Sequence, residues 1–229
     1  MQNNFYNFFS GLDAIGLSVI TILAFMSMMC WSFIIYKLFL HFSIRSNSNI
    51  FLNKFWHMYG YDEIKNHIAN EASSHHFSRV AKYAFETTSH FDKYKQQSQN
   101  CEISMDDFLT KSIKYSIDAE RLKLESGMSI FASIASTAPF IGLFGTVYGI
   151  YETLLAIGTS GQCTLDKIAG PIGESLIMTA CGLAVAIPAV LAYNIFNNQN
   201  RDVMHALDSF AYSLYSLLTT GGYPKRVVH

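Results

Sequence analysis

Among the polar side chains inside two largely apolar stretches of sequence, three could do chemistry. Thr146 lies within residues 129–157, and Glu174 and Thr179 lie within residues 172–196. A hydroxyl both donates and accepts a hydrogen bond, so two hydroxyls at one depth in apolar surroundings can position or pass a proton. Each threonine also has a purely structural reading, because its hydroxyl can bond back to a carbonyl of its own helix. A carboxylate inside a membrane span costs about 2.5–3.5 kcal/mol on insertion scales and is by default a functional candidate. Glu174 sits near one end of its stretch, and Glu152 at the matching end of the other, where either can reach headgroup water. Depth ties the groups together. If the two stretches are antiparallel neighbours, Thr146 comes 11 residues before residue 157 and Thr179 7 residues after residue 172. The hydroxyls then fall at comparable heights, and a shared polar track is geometrically allowed. The residues alone leave two classes open, an ion pathway and a non-conducting membrane scaffold.

The elements that must hold these groups follow from composition. Of 229 residues, 50% are hydrophobic and 14% charged, with a net charge of −1. That is too apolar for an ordinary soluble domain of this length and too interrupted for a chain that is all membrane. A helix crosses a bilayer with roughly 20 apolar residues. Three segments qualify: 14–36 without a charge, 129–157 with only Glu152, and 172–196 with only Glu174. The first is not read as a signal peptide, because residues 1–13 hold no Lys or Arg and the apolar run exceeds the roughly 7–15 residues of a signal core. Basic residues near span ends stay on the cytoplasmic side. Lys37 and Arg45 follow the first span, Arg121 and Lys123 precede the second, and Arg201, Lys225 and Arg226 follow the third, with Lys167 alone opposite.

The predicted fold is an all-α integral membrane protein with three transmembrane helices extended by a cytoplasmic helical bundle. The boundaries are an external N-terminus at 1–13, transmembrane helix 1 at 14–42, a cytoplasmic helical domain at 43–127 and transmembrane helix 2 at 128–157. An external hairpin at 158–170, transmembrane helix 3 at 171–196 and a cytoplasmic C-terminal helix and tail at 197–229 complete the order.

In the predicted cytoplasmic part, Phe51, Phe55, Met58, Ile64, Ile68, Val80 and Ala84 recur at helical intervals, with Gly60 as a break. This predicts a helical hairpin, followed by a polar linker over 87–100. Ser104 with Asp107 resembles a capping box, opening a helix that runs through Leu109, Ile113, Ile117 and Leu124 directly into the second span. Val203, Leu207, Phe210, Leu214 and Leu217 alternate spacings of four and three, the pattern of a helix packing on another helix. Gly221, Gly222 and Pro224 are read as its stop. Its partner is either the same chain's loop helices or a neighbouring subunit. Within the second span, Ala132, Ser133, Ala135, Ser136, Ala138, Gly142, Gly145 and Gly149 let backbones approach closely, and Gly145 with Gly149 forms a GxxxG pair. Gly182 continues the theme in the third span. Pro139 and Pro188 each remove a helical hydrogen bond and are expected to bend their spans or free a carbonyl.

Other chemistries find no support. Cys30, Cys101, Cys163 and Cys181 form no CxxC pair and the histidines are dispersed, so neither a metal site nor a disulfide framework is predicted. No Ser/His, paired-Asp or HExxH arrangement lies at membrane depth, so no enzyme, catalytic residue or cofactor is expected. Basic residues are scattered and balanced by acids, which argues against nucleic-acid binding.

Two motifs carry a resemblance: APFIGLFGTVYGI at 138–150 and AGPIGESLIMTACGLAVAIPAVLAYN at 169–194. They resemble the proton-channel family of ExbB and TolQ, more distantly related to flagellar MotA. The likeness is dense over about 129–200, and the first span and loop agree in topology and length but not in motif. It implies a bacterial inner-membrane protein with a periplasmic N-terminus and a cytoplasmic C-terminus. It further implies a homopentamer around the paired single-span helices of an ExbD- or TolR-like partner, using proton flow to pass force to TonB or TolA. The family's channel threonines correspond to Thr146 and Thr179, and its membrane glutamate to Glu174, while the main proton carrier is an aspartate on the partner. The implied roles are a relay or gate at Thr146 and Thr179, with Glu174 tuning access from outside. The IGTSGQ hairpin at 157–162 and the AGPIGE approach at 169–174 are more like ExbB than TolQ. Glu152 is an added acid, and Ser175 and Met178 replace the usual alanines.

Overall fold

Long apolar runs without turn signals fold as helices. The computed structural model describes residues 13–57, 61–70, 75–97, 104–160 and 165–220, which form six helices and no strand. These are α1 (Ala14–His57), α2 (Tyr61–Asn70), α3 (His76–Gln97), α4 (Met105–Glu125), α5 (Met128–Ser160) and α6 (Leu165–Thr220). Helices α1, α5 and α6 each contain a stretch long and apolar enough to cross a membrane. The chain is an all-α membrane protein. Its described residues divide into two units, one drawn from Met1–Lys37 and Gly127–Asn197, the other from Leu38–Ser126 and Asn198–His229.

The core of the first unit joins Val19, Leu23 and Cys30 of α1 to Phe131, Ile134 and Ala138 of α5 and to Met178, Val185, Ala189 and Phe196 of α6. The Phe131 ring stacks on Phe196 at 5.7 Å and meets Phe33 edge-on at 6.3 Å. Large apolar side chains also point outward, among them Phe25, Phe140 and Leu191, as expected of helices whose solvent is lipid.

Small residues let α5 and α6 touch through their backbones. A Cβ added to Gly142 would lie 2.7 Å from the Met178 carbonyl oxygen and 3.1 Å from Gly182 Cα. One added to Gly182 would lie 2.7 Å from the Ala138 carbonyl oxygen. The predicted GxxxG pair is used within the chain: Gly145 makes room for Met178, and Gly149 for Ser175. The two residues that depart from the usual alanines are thus seated against glycines. Both helices run on through Pro139 and Pro188.

In the second unit the apolar stripe of α6 closes a core with α1, α2, α3 and α4. Phe210 packs against Phe55 at 4.9 Å, Phe77 at 5.5 Å and Phe51 at 6.0 Å, and Leu207, Leu214 and Leu217 are buried beside it. The stripe therefore meets this chain's own loop helices. Glu120 of α4 is almost wholly buried, accepting hydrogen bonds from His76 Nδ1 (2.6 Å), Arg79 Nε (2.8 Å) and Lys123 Nζ (2.8 Å). Burial pushes its carboxyl pKa up, but the bonds from His76, Arg79 and Lys123 and the Arg79 charge outweigh this and hold it well below the usual carboxylate range.

Several expectations are corrected. Residues 87–97 are not a linker but the end of α3: Thr88 satisfies its hydroxyl on the Ala84 carbonyl, and the Phe91 ring packs 5.5 Å from Phe108. Ser104 is the N-cap of α4 but makes no side-chain capping bond, and Asp107 instead pairs with Lys111 at 2.7 Å. Helix α4 does not run directly into the second span, because Gly127 turns the chain at φ +79°. The Asn200 side-chain amide donates to the Leu124 carbonyl at 2.9 Å, satisfying an acceptor that the helix end leaves open. Helix also reaches into both sides of the predicted hairpin, to Ser160 and from Leu165. Met58, Gly60, Cys101, Cys163, Gly221, Gly222 and Pro224 lie outside the described residues.

Candidate functional site

Close approach of α5 and α6 at Gly142 and Gly182 brings the flanking residues into register. Thr146 lies one turn beyond Gly142 on α5, and Thr179 nearly one turn before Gly182 on α6, and their hydroxyls are hydrogen-bonded to each other. Thr146 Oγ1 also reaches the Ser175 carbonyl at 3.0 Å and the Gly142 carbonyl at 3.2 Å. Thr179 Oγ1 reaches the same Gly142 carbonyl at 3.5 Å. Thr146 is buried and Thr179 half-buried.

This arrangement has two hydroxyl protons and three kinds of acceptor: the Ser175 carbonyl, the Gly142 carbonyl and the opposite hydroxyl. A hydroxyl hydrogen rotates freely among acceptors, so either threonine can donate to the other while its partner turns to a carbonyl. The site can therefore exist in more than one proton arrangement without moving a heavy atom.

Glu174 does not hydrogen-bond to the hydroxyl pair. It is half-buried and lines a cavity of ≈ 220 Å³ together with Asp13, Tyr148, Glu152, Thr153 and Ser175. Tyr148 donates its phenolic hydrogen to Glu152 Oε1 at 2.8 Å. The nearly buried Ser175 donates its own hydroxyl to the Pro171 carbonyl at 2.8 Å.

The geometry thus brings Thr146, Thr179, Gly142, Gly145, Gly149 and Gly182 to one helix crossing, with Glu174 to one side. Sequence reasoning missed the Tyr148–Glu152 pair, although its i,i+4 spacing was a usable signal. It also missed the Ser175 carbonyl as an acceptor for Thr146, which no residue type announces. Among the described residues there is no group of three or more His, Cys, Asp or Glu able to hold a metal ion.

A model of the MotA/TolQ/ExbB proton channel family matches residues 75–209. A biopolymer transport protein ExbB from Xanthomonas campestris pv. campestris is 35% identical over 205 residues, covering 89% of this chain and 81% of that protein. Another from Neisseria gonorrhoeae is 41% identical over 138 residues, covering 60% of this chain and 63% of its own length. A Tol-Pal system protein TolQ from Haemophilus influenzae is 29% identical over 217 residues, covering 93% and 94%.

Proposed function

Because this chain belongs to the MotA/TolQ/ExbB proton channel family, we propose that it is the ring-forming subunit of a proton-driven motor in the bacterial inner membrane. Five copies surround an ExbD-like single-span partner, and the motor energises TonB-dependent nutrient uptake, such as that of iron-siderophores, across the outer membrane. The N-terminus is periplasmic and the C-terminus cytoplasmic, following the bias of Lys and Arg along the sequence. The ExbB reading is favoured over TolQ because the 35% identity to an ExbB relative extends over 205 residues and another ExbB relative reaches 41%, whereas 35% identity to a TolQ relative extends over only 128 residues. A TolQ-like role in envelope maintenance is the second reading, favoured by a TolQ relative that aligns over nearly the whole chain.

The observation that carries the proton-handling role is the buried hydroxyl pair of Thr146 and Thr179. At that depth the site offers hydroxyls and carbonyls, which hydrate and orient a proton without trapping it. The titratable carrier comes from the partner's aspartate, Thr146 and Thr179 relay or gate its proton, and Glu174 tunes access from the periplasmic side.

Valine matches threonine in shape while deleting the hydroxyl. Thr146→Val and Thr179→Val are each expected to lower TonB-dependent uptake by roughly a hundredfold or more, at the scale of a lost proton-transfer group, with the complex still assembled. Normal uptake in both variants, at normal assembly, would remove the relay assignment.

A further inference from the structure

The cavity beside Glu174 lies among the start of α1, α5 and α6. Resting on the proton-pathway reading above, we propose that this cavity is the water-filled proton entrance, and that Glu152, held by Tyr148, is a second proton-loading carboxylate beside Glu174.

Three observations converge on it. Its volume of ≈ 220 Å³ accommodates several waters, since a polar site of roughly 10–15 Å³ in the same measure holds one. Its wall connects to the hydroxyl pair through a single residue: Ser175 lines the cavity, and its carbonyl accepts the Thr146 hydroxyl at 3.0 Å. Finally, the Tyr148 hydroxyl engages one oxygen of Glu152 at 2.8 Å, which fixes the carboxylate on the cavity wall and leaves its other oxygen for water.

The transfer breaks and makes only O–H bonds. A hydronium ion in the cavity gives its proton to Glu152 or Glu174 and remains as water. The carboxylic acid then returns that proton to a cavity water on the Ser175 side, restoring the carboxylate. The other groups that set the field here are Asp13 before α1 and Tyr148 on α5. Three carboxylates around one small cavity raise the local concentration of protons when protons outside are scarce.

The test measures TonB-dependent uptake against external pH in cells carrying the full complex, with partner co-purification as the check on assembly. Glu152→Gln is expected to slow uptake about tenfold at alkaline external pH, the low end of what charge focusing in a lined cleft supplies. The loss should shrink as external pH falls. Tyr148→Phe, which keeps the ring and deletes the hydroxyl, should show a weaker form of the same pH-dependent loss and decides the matter if Glu152→Gln misassembles. Wild-type behaviour at every pH, or a loss of equal size at every pH, overturns the proposal. If that happens while Thr146→Val still abolishes uptake, the entrance is elsewhere and the threonine pathway stands. If Thr146→Val is without effect, the pathway reading itself falls.

Discussion

Glu120 accepts from three side chains on two helices, and two of its donors, His76 and Arg79, come from α3. Breaking a buried pair from one side leaves the other charge uncompensated, at a cost of about 3–5 kcal/mol. Arg79 keeps 28% of its side-chain exposure, so Glu120→Gln is expected near the low end, about 3 kcal/mol. Lys123 is 57% exposed and contributes little, because solvent screens it. The pH dependence has a definite sign. A carboxyl whose pKa is lowered on folding contributes fully above its ordinary value of 4.5, and that contribution drains away as pH falls from there toward the lowered folded value. Thermal unfolding of detergent-solubilised protein should show wild type ahead of Glu120→Gln at neutral pH, with the gap narrowing below about pH 4.5. This cluster was hidden in the sequence. His75 and His76 stand side by side in the sequence, and nothing there points to a carboxylate 44 positions from His76. By contrast, Thr146 and Thr179 were legible, because a fixed rise per residue converts position in a span into depth.

At the scale of helices, the crossing of α5 and α6 depends on two glycines rather than on apolar area. Lipid offers no hydrophobic gain for association, so backbone proximity must supply the attraction. Gly142→Ala would drive a methyl against the Met178 carbonyl and Gly182 Cα, backbone atoms that cannot swing aside. The expected cost is about 1–3 kcal/mol, as for overpacking of a core, with separation of the Thr146 and Thr179 hydroxyls and loss of uptake. Gly158→Ala is the control: nothing lies within 4 Å of its added Cβ, and within a helix alanine should be neutral or stabilising by up to about 1 kcal/mol. Melting of both variants in detergent, paired with uptake, separates packing at the crossing from a general response to added methyls. The three spans could be read from length and hydropathy. The break between α4 and α5 could not, because it depends on the positive φ of Gly127 and on Asn200, 76 positions away, reaching the Leu124 carbonyl. The end of α3 was misread for a related reason, since a polar run becomes a buried helix when Thr88 bonds to its own backbone and Phe91 finds Phe108.

On the function proposed above, the whole molecule presents a pathway without its carrier. Its membrane carboxylates, Glu152 and Glu174, border a cavity to one side of the crossing, while the crossing itself offers Thr146, Thr179 and two backbone carbonyls. Hydroxyls and carbonyls can guide a proton but do not store one at physiological pH, so turnover requires a titratable group from another chain. The outward faces of the spans are apolar surfaces that lipid or a further membrane helix can cover: Phe140, Phe144, Val147 and Leu154 of α5 and Leu183, Ile187 and Leu191 of α6 are each at least 46% exposed. Purification from the native membrane in mild detergent should therefore yield this chain with a small single-span protein bearing an aspartate within its span. Mass spectrometry of the intact complex is expected to count five copies of the chain around that partner. An ExbD-like partner accompanied by TonB is the outcome expected of a nutrient-uptake motor, and a TolR-like partner would move the role to envelope maintenance. A homo-oligomer without a partner would leave the threonine pair no carrier to pass a proton to, and the helices would then serve as a scaffold.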